Sequence, residues 1–157
     1  MMSVYKFIIA IVLPLLVGAA GGYFTSTSVK GWFTTLNKPF FNPPAWLFAP
    51  VWTTLYILMG IAFFLIWQSK TVKELKQKAV TFYFIQLVLN AAWSFIFFYA
   101  KQPGLAFAEI LILLIMIILT AVTFYKIRKA AGWLMLPYIV WVCFACVLNY
   151  SIWRLNS

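Results

Sequence analysis

The chain has no histidine and only two acidic residues and two cysteines in its 157 positions. Without histidine, a His-based catalytic triad and an imidazole-rich metal site lack their parts, and no metal ligand set is expected. The two carboxylates, Glu74 and Glu109, lie on distant segments, so no carboxylate pair is available for general acid–base work. Cys143 and Cys146 have CxxC spacing, but they sit within an apolar run, whereas a redox pair needs a thiolate near solvent and a helix N-terminus. Neither a P-loop nor a dinucleotide fingerprint occurs. Charged residues amount to 9% against 66% hydrophobic ones, which excludes a water-soluble domain and indicates an integral membrane protein.

Apolar runs of about 20 residues read as spanning helices. Five fit, at residues 5–25, 45–67, 79–100, 105–125 and 133–155, with a capping segment at 26–44. The expected fold is one all-α domain over residues 1–157, a five-helix transmembrane bundle. Lys6 followed by an apolar run and GAAGG also fits a secretory signal peptide, but the run continues through Phe24, as a span requires. The net charge of +10 does not point to nucleic acid, because the basic residues are strung along loops and helix ends. Lys6, Lys70, Lys73, Lys76, Lys78, Lys126, Arg128 and Lys129 fall on one side, and Lys30, Lys38, Lys101 and Arg154 on the other. The positive-inside rule then places the N-terminus in the cytoplasm and the cap outside. Short loops and the lack of a clear transit peptide fit a multi-pass protein of the bacterial cell membrane.

The most unusual stretch runs from Trp32 to Tyr56. It is too rich in proline to begin as helix and too aromatic for a solvated loop, so it reads as a packed cap. Pro43 and Pro44 favour extended backbone before them, and a helix is expected to start near Pro44 or Ala45. Trp52 and Tyr56 share a face of that helix with Phe63. Trp46 and Trp67 read as interfacial, whereas Trp52 lies about 9 Å further in than Trp46. On the third span Gln86, Asn90 and Trp93 form a polar–aromatic stripe that must face the bundle, because an unpaired amide in hydrocarbon is costly. Two readings stay open there: ligand binding, or hydrogen bonds that merely join helices. Glu109 is the sole acid within a span. It is a functional candidate by default, or it reaches the interface or pairs with Lys101 or Arg154. On the fifth span Trp141, Ala145, Leu148 and Asn149 cluster one turn beyond Tyr138. Gly18 and Gly22 form a GxxxG step, read as intramolecular packing ahead of dimerisation.

The stretch W-F-x2-L-x-K-P-F-x2-P-P-x-W-x-F-x-P-V-W-x2-L-Y from Trp32 resembles the translocator protein family, TspO/MBR, also called tryptophan-rich sensory proteins or peripheral-type benzodiazepine receptors. Gln86-x3-Asn90-x2-Trp93 with Phe97-Phe98, and Pro137-Tyr138-x2-Trp141-x2-Phe144-Ala145-x2-Leu148-Asn149-Tyr150, are similar to its third and fifth helices. The resemblance implies a five-helix bundle, usually a homodimer, that binds tetrapyrroles such as protoporphyrin IX and haem, sterols in animal members, and synthetic isoquinoline or benzodiazepine ligands. No cofactor is required; porphyrin or haem is the expected ligand. The implied pocket residues are Trp52, Tyr56, Asn90, Trp93, Trp141, Ala145 and Leu148, with Gly22, Pro43, Pro44 and Trp46 above them. The family's sterol pattern matches Leu148, Tyr150 and Arg154. Leu105 stands where animal members have tryptophan. Some members are reported to degrade porphyrin in light, for which Trp52 and Trp141 are the candidates. The alternatives are a porphyrin exporter, a sterol translocator, or a scaffold whose aromatic stripes are only packing. Export is disfavoured by the lack of an inverted repeat and of a deep carboxylate.

Overall fold

The computed structural model describes residues 3–157. Helix α1 spans Val4–Ser26, and a single turn, α2 (Trp32–Thr35), stands within the cap. Next come α3 (Ala45–Trp67) and α4 (Lys73–Ser94), the latter running straight into a π-helical turn at Phe95–Tyr99. Then follow α5 (Pro103–Ile127), α6 (Lys129–Leu134) and α7 (Leu136–Leu155). Five stretches are long and apolar enough to cross a membrane: Val4–Ser26, Ala45–Trp67, Lys73–Tyr99, Pro103–Ile127 and Lys129–Leu155. The chain is therefore an all-helical, multi-pass membrane protein.

Pro44 occupies the extended position just before α3, and Pro103 opens α5, where its missing N–H is not needed. The third span begins at Lys73, six residues before residue 79, so the basic connection is shorter than its charge suggests. Lys, Glu and Gln are good helix formers. Lys76 also ties this first turn to the preceding helix, for its Nζ donates to the Trp67 carbonyl at 2.6 Å and the Ser69 carbonyl at 2.9 Å. A cation at the C-terminus of α3 satisfies carbonyls that the helix leaves open. Likewise the connection expected at 126–132 is largely α6. The chain turns at extended Arg128 and resumes as helix at Lys129.

Around the bundle, α1 lies against α3 and α4, α4 against α5, and α5 against α7. Helix α3 meets the fifth span through α6, at the end remote from the cap. Alongside α7 its backbone stands further off, and Trp52 and Phe48 bridge the interval to Tyr138 and Trp141. At the remote end the core closes without such bridging: the Tyr83 ring stacks between Phe63 (4.6 Å) and Phe124 (5.8 Å). Lys6 lies over Trp67 at 5.6 Å, which sets the start of α1 at that same end.

Glycines set how near α1 comes to α3. A Cβ on Gly60 would stand 2.6 Å from the Ala10 carbonyl oxygen and 2.8 Å from Ile11 Cα. Gly18 lies beneath the Tyr56 ring and Gly21 beside Ser94, whereas a Cβ on Gly22 would meet no atom within 4 Å. The two glycines of the GxxxG step are thus divided: Gly18 packs within the chain and Gly22 is exposed.

Candidate functional site

Three helices carry the candidate residues, and each does so through helical spacing. On α3, Phe48, Trp52 and Tyr56 recur every fourth residue; Phe48 and Trp52 reach side chains of α7, and Tyr56 lies over Gly18 of α1 and reaches Asn90 of α4. Trp52 stacks on Tyr56 at 5.6 Å, meets Tyr138 edge-on at 6.2 Å, and stands perpendicular to Trp141 at 6.4 Å. Phe48 meets Trp141 at 6.1 Å. Sequence reasoning missed Phe48, although its place one turn before Trp52 is the same signal that selected Tyr56.

A chain of hydrogen bonds runs behind these rings. The Tyr56 hydroxyl donates to Asn90 Oδ1 (2.6 Å), Asn90 Nδ2 donates to the Tyr138 hydroxyl (2.8 Å), and that hydroxyl donates to Gln86 Oε1 (3.0 Å). Gln86 Nε2 points at the Met59 sulfur, 3.7 Å away. Asn90, Tyr56, Gln86 and Tyr138 are all buried. Asn90 therefore joins α3, α4 and α7, the helix-joining role left open above, and it does so on the wall of the aromatic cluster. Tyr138, which spacing marks only as one turn before Trp141, is the second hub. A separate link runs from Trp93 Nε1 to Asn149 Oδ1 (2.9 Å) and from Asn149 Nδ2 to the Pro103 carbonyl (2.8 Å), tying α4, α7 and α5 together.

Of the remaining candidates, Leu148 is buried with Phe97, Ala106 and Ile152, and Ala145 packs against the core near Trp141. At the head of α3 Pro43 is partly exposed and Pro44 is exposed. Trp46 is 73% exposed, and Gly22 opens to the outside of α1, so neither joins the aromatic cluster. The sterol-pattern residues do not come together: Leu148 faces inward, while Tyr150 and Arg154 are exposed on the opposite side of α7. Leu105 is 55% exposed.

The cap closes one end of this interior. Trp32 and Phe33 pack on Phe97, and Phe33 also on Phe98, side chains presented by the π-helical turn. Phe41 reaches Phe144 of α7 at 6.3 Å. Two polar links fasten the cap. Ser28 Oγ donates to the Phe98 carbonyl. The Asn156 side chain pairs with the Asn37 backbone in both directions, Oδ1 accepting at 2.9 Å and Nδ2 donating at 2.9 Å. This side chain imitates a neighbouring strand's peptide group. Asn156→Ala should release the second link, raising amide exchange across residues 32–44 by about five- to tenfold, the low end for two lost hydrogen bonds at an exposed place. Exchange at the wild-type rate would mean that aromatic packing alone holds the cap.

The buried groups without a hydrogen-bond partner in the chain include the Trp141 indole N–H and both oxygens of Glu109. Glu109 is 8% exposed and pairs with neither Lys101 nor Arg154, contrary to one expectation drawn from its place near a helix end. The arrangement offers flat aromatic walls and a few unspent polar groups. It suits a conjugated molecule with a polar edge. Among the described residues no three His, Cys, Asp or Glu side chains gather to hold a metal ion.

The family model described as TspO/MBR family matches residues 10–154. The tryptophan-rich protein TspO of Archaeoglobus fulgidus is 41% identical over 156 residues, covering 99% of this chain and 100% of that protein. The translocator protein of Sus scrofa is 38% identical over 149 residues, covering 90% and 87%. The tryptophan-rich sensory protein of Cereibacter sphaeroides is 36% identical over 125 residues, covering 80% and 77%.

Proposed function

Because the chain belongs to the TspO/MBR family, we propose that it is a membrane receptor or sensor that binds a tetrapyrrole, protoporphyrin IX or haem, between α3 and α7 beneath the cap. The observation that carries this reading is the pair of perpendicular indoles, Trp52 and Trp141, bridging two helices whose backbones stand apart, with the Trp141 N–H unspent. Aromatic faces stack on a conjugated macrocycle, and a buried donor without an acceptor is matched by a carbonyl or carboxylate on the ligand's edge. Isoquinoline-type molecules, flat and carrying one amide, fit the same description. The protein works in this reading as a homodimer in a bacterial cell membrane, with its N-terminus and the lysine-rich end of the bundle in the cytoplasm. Quenching of porphyrin fluorescence on titration with the purified protein tests the binding. No quenching beyond that in empty micelles would end the proposal.

Light-driven loss of the bound pigment is the chemistry this interior can support without histidine or a carboxylate pair. The excited porphyrin is the photosensitiser, and an adjacent indole quenches it or gives it an electron. Trp52→Phe and Trp141→Phe should keep ring shape and most of the affinity while slowing light-dependent porphyrin loss, because phenylalanine is much harder to oxidise. Trp133→Phe, at an exposed position remote from the cap, should leave the rate unchanged. Equal bleaching rates in all variants and wild type would remove the photochemical role and leave binding.

A further inference from the structure

Glu109 lies six residues into α5, the helix that begins at Pro103, and it is buried, whereas the other carboxyl, Glu74, is exposed in the first turn of α4. Both of its oxygens are buried, and neither accepts or donates a hydrogen bond among the described residues. On either side of it along α5, the Pro103 carbonyl meets Asn149 and the Ile110 carbonyl meets the Cys146 thiol, so this stretch is held against α7. Glu109 lies on the face of α5 that carries Ala106, Ile110 and Leu113, and the last two belong to the same core as Tyr138, the hub of the aromatic interior, with Trp52 and Trp141 packed against it. The polar groups nearest that hub, on Asn90, Gln86 and Tyr56, are engaged with one another. Every lysine and arginine falls at a helix end or in a connection, so among the described residues none supplies a counter-charge at this depth.

A carboxylate buried without a partner carries an uncompensated desolvation cost, which a partner of opposite charge offsets. Intramembrane acids of this kind serve ligands, ions or protons. Among ligand groups, a cationic N–H forms the strongest hydrogen bond a carboxylate can accept, and more so away from water. Resting on the reading of the α3–α7 interior as a site for flat aromatic molecules, we propose that Glu109 is its acidic anchor and selects ligands carrying a protonated nitrogen on the aromatic system. Trp141 then receives the acceptor edge of a ligand and Glu109 its cationic edge. The same interior thus accepts two kinds of flat molecule and prefers the cation.

Acridine and 9-aminoacridine test this, since the two share one ring system but at pH 7.5 only the second is a cation. Wild-type protein in detergent should bind 9-aminoacridine about tenfold more tightly than acridine, the ratio of one charge-assisted hydrogen bond. In Glu109→Gln the ratio should fall to about one, with acridine affinity unchanged within about twofold. A second measurement needs no variant. Dicyclohexylcarbodiimide labels a buried carboxyl when the acid's O–H adds across one C=N bond and the acyl group then migrates to nitrogen. In wild type, 9-aminoacridine should protect Glu109 from this N-acylurea formation and acridine should not. Equal affinities in wild type, a preference that survives in Glu109→Gln, or equal protection by both compounds overturns the proposal. If porphyrin binds and neither acridine does, the acidic anchor fails and the tetrapyrrole reading stands. If porphyrin and both acridines all fail to bind, the site itself is misplaced.

Discussion

Gly60→Val is expected to cost the protein about 3 kcal/mol or more, the upper range of overpacking penalties. Any side chain at this position begins with a Cβ directed at the Ala10 carbonyl oxygen and Ile11 Cα, and both are backbone atoms that a rotamer change cannot move aside. Helix α1 must therefore retreat from α3, and Tyr56, whose ring lies over Gly18 in the same interface, loses its support. Gly22→Ala is the control, because its Cβ would enter open space. It should change stability by less than about 0.5 kcal/mol. Unfolding in mixed micelles with increasing dodecyl sulfate, followed by far-UV circular dichroism, measures both. Equal midpoints for the two variants would show that the α1–α3 contact is not tight in solution.

Asn90→Leu should carry the second large effect, a loss of about 1 to 3 kcal/mol in the same assay. The substitution leaves the Tyr56 hydroxyl without its acceptor and removes the donor to Tyr138, while the leucine itself fits an apolar interior. Adding Tyr56→Phe should return part of that loss, since the orphaned hydroxyl goes with it, and the double variant should be less destabilised than the sum of the single ones. Strict additivity would break the link between the two residues. Porphyrin affinity, measured per folded molecule, should fall in Asn90→Leu by a similar amount, because the ring of Tyr56 that faces Trp52 is no longer held from behind.

Much of this follows from residue spacing, and the reasons for the exceptions are physical. The five spans are legible because lipid demands long apolar helices, and the start of α3 because Pro44 holds the residue before it in extended backbone while costing no hydrogen bond at a helix's own start. The stripes containing Trp52, Asn90 and Trp141 are legible because an amide in hydrocarbon has to face its own chain. The helical start of α4 is not, since the charges of residues 73–78 signal contact with water, which an exposed helix turn and a loop share. The role of Lys76 depends on where α3 ends, and so on folding. Gly60 carries no mark to separate it from any other small residue until α1 is laid against it. Trp46 and Gly22 come from the family pattern, and this chain places both outside the cluster built by the other candidates. The burial of Glu109 is the least legible feature: one turn from a loop, a carboxylate in sequence looks free to reach water.

The π-helical turn at Phe95–Tyr99 gives this bundle a property that can be counted in codons. The turn follows Ser94, the last residue of α4, and ends the span; its i→i+5 winding places one residue more in the turn than an α-helix would, which shifts the residues after the insertion by about 100° around the axis for only about 1.5 Å of length. Phe97 and Phe98, which meet Trp32 and Phe33, both belong to this turn. A relative lacking one codon between Trp93 and Lys101 could keep its span, its hydropathy and its tryptophans, yet turn the seat of the cap toward lipid. The length of that interval, more than the identity of any one residue in it, then becomes an inherited trait of a closed bundle. A single-codon deletion there would act on the lid while leaving the walls of the interior in place.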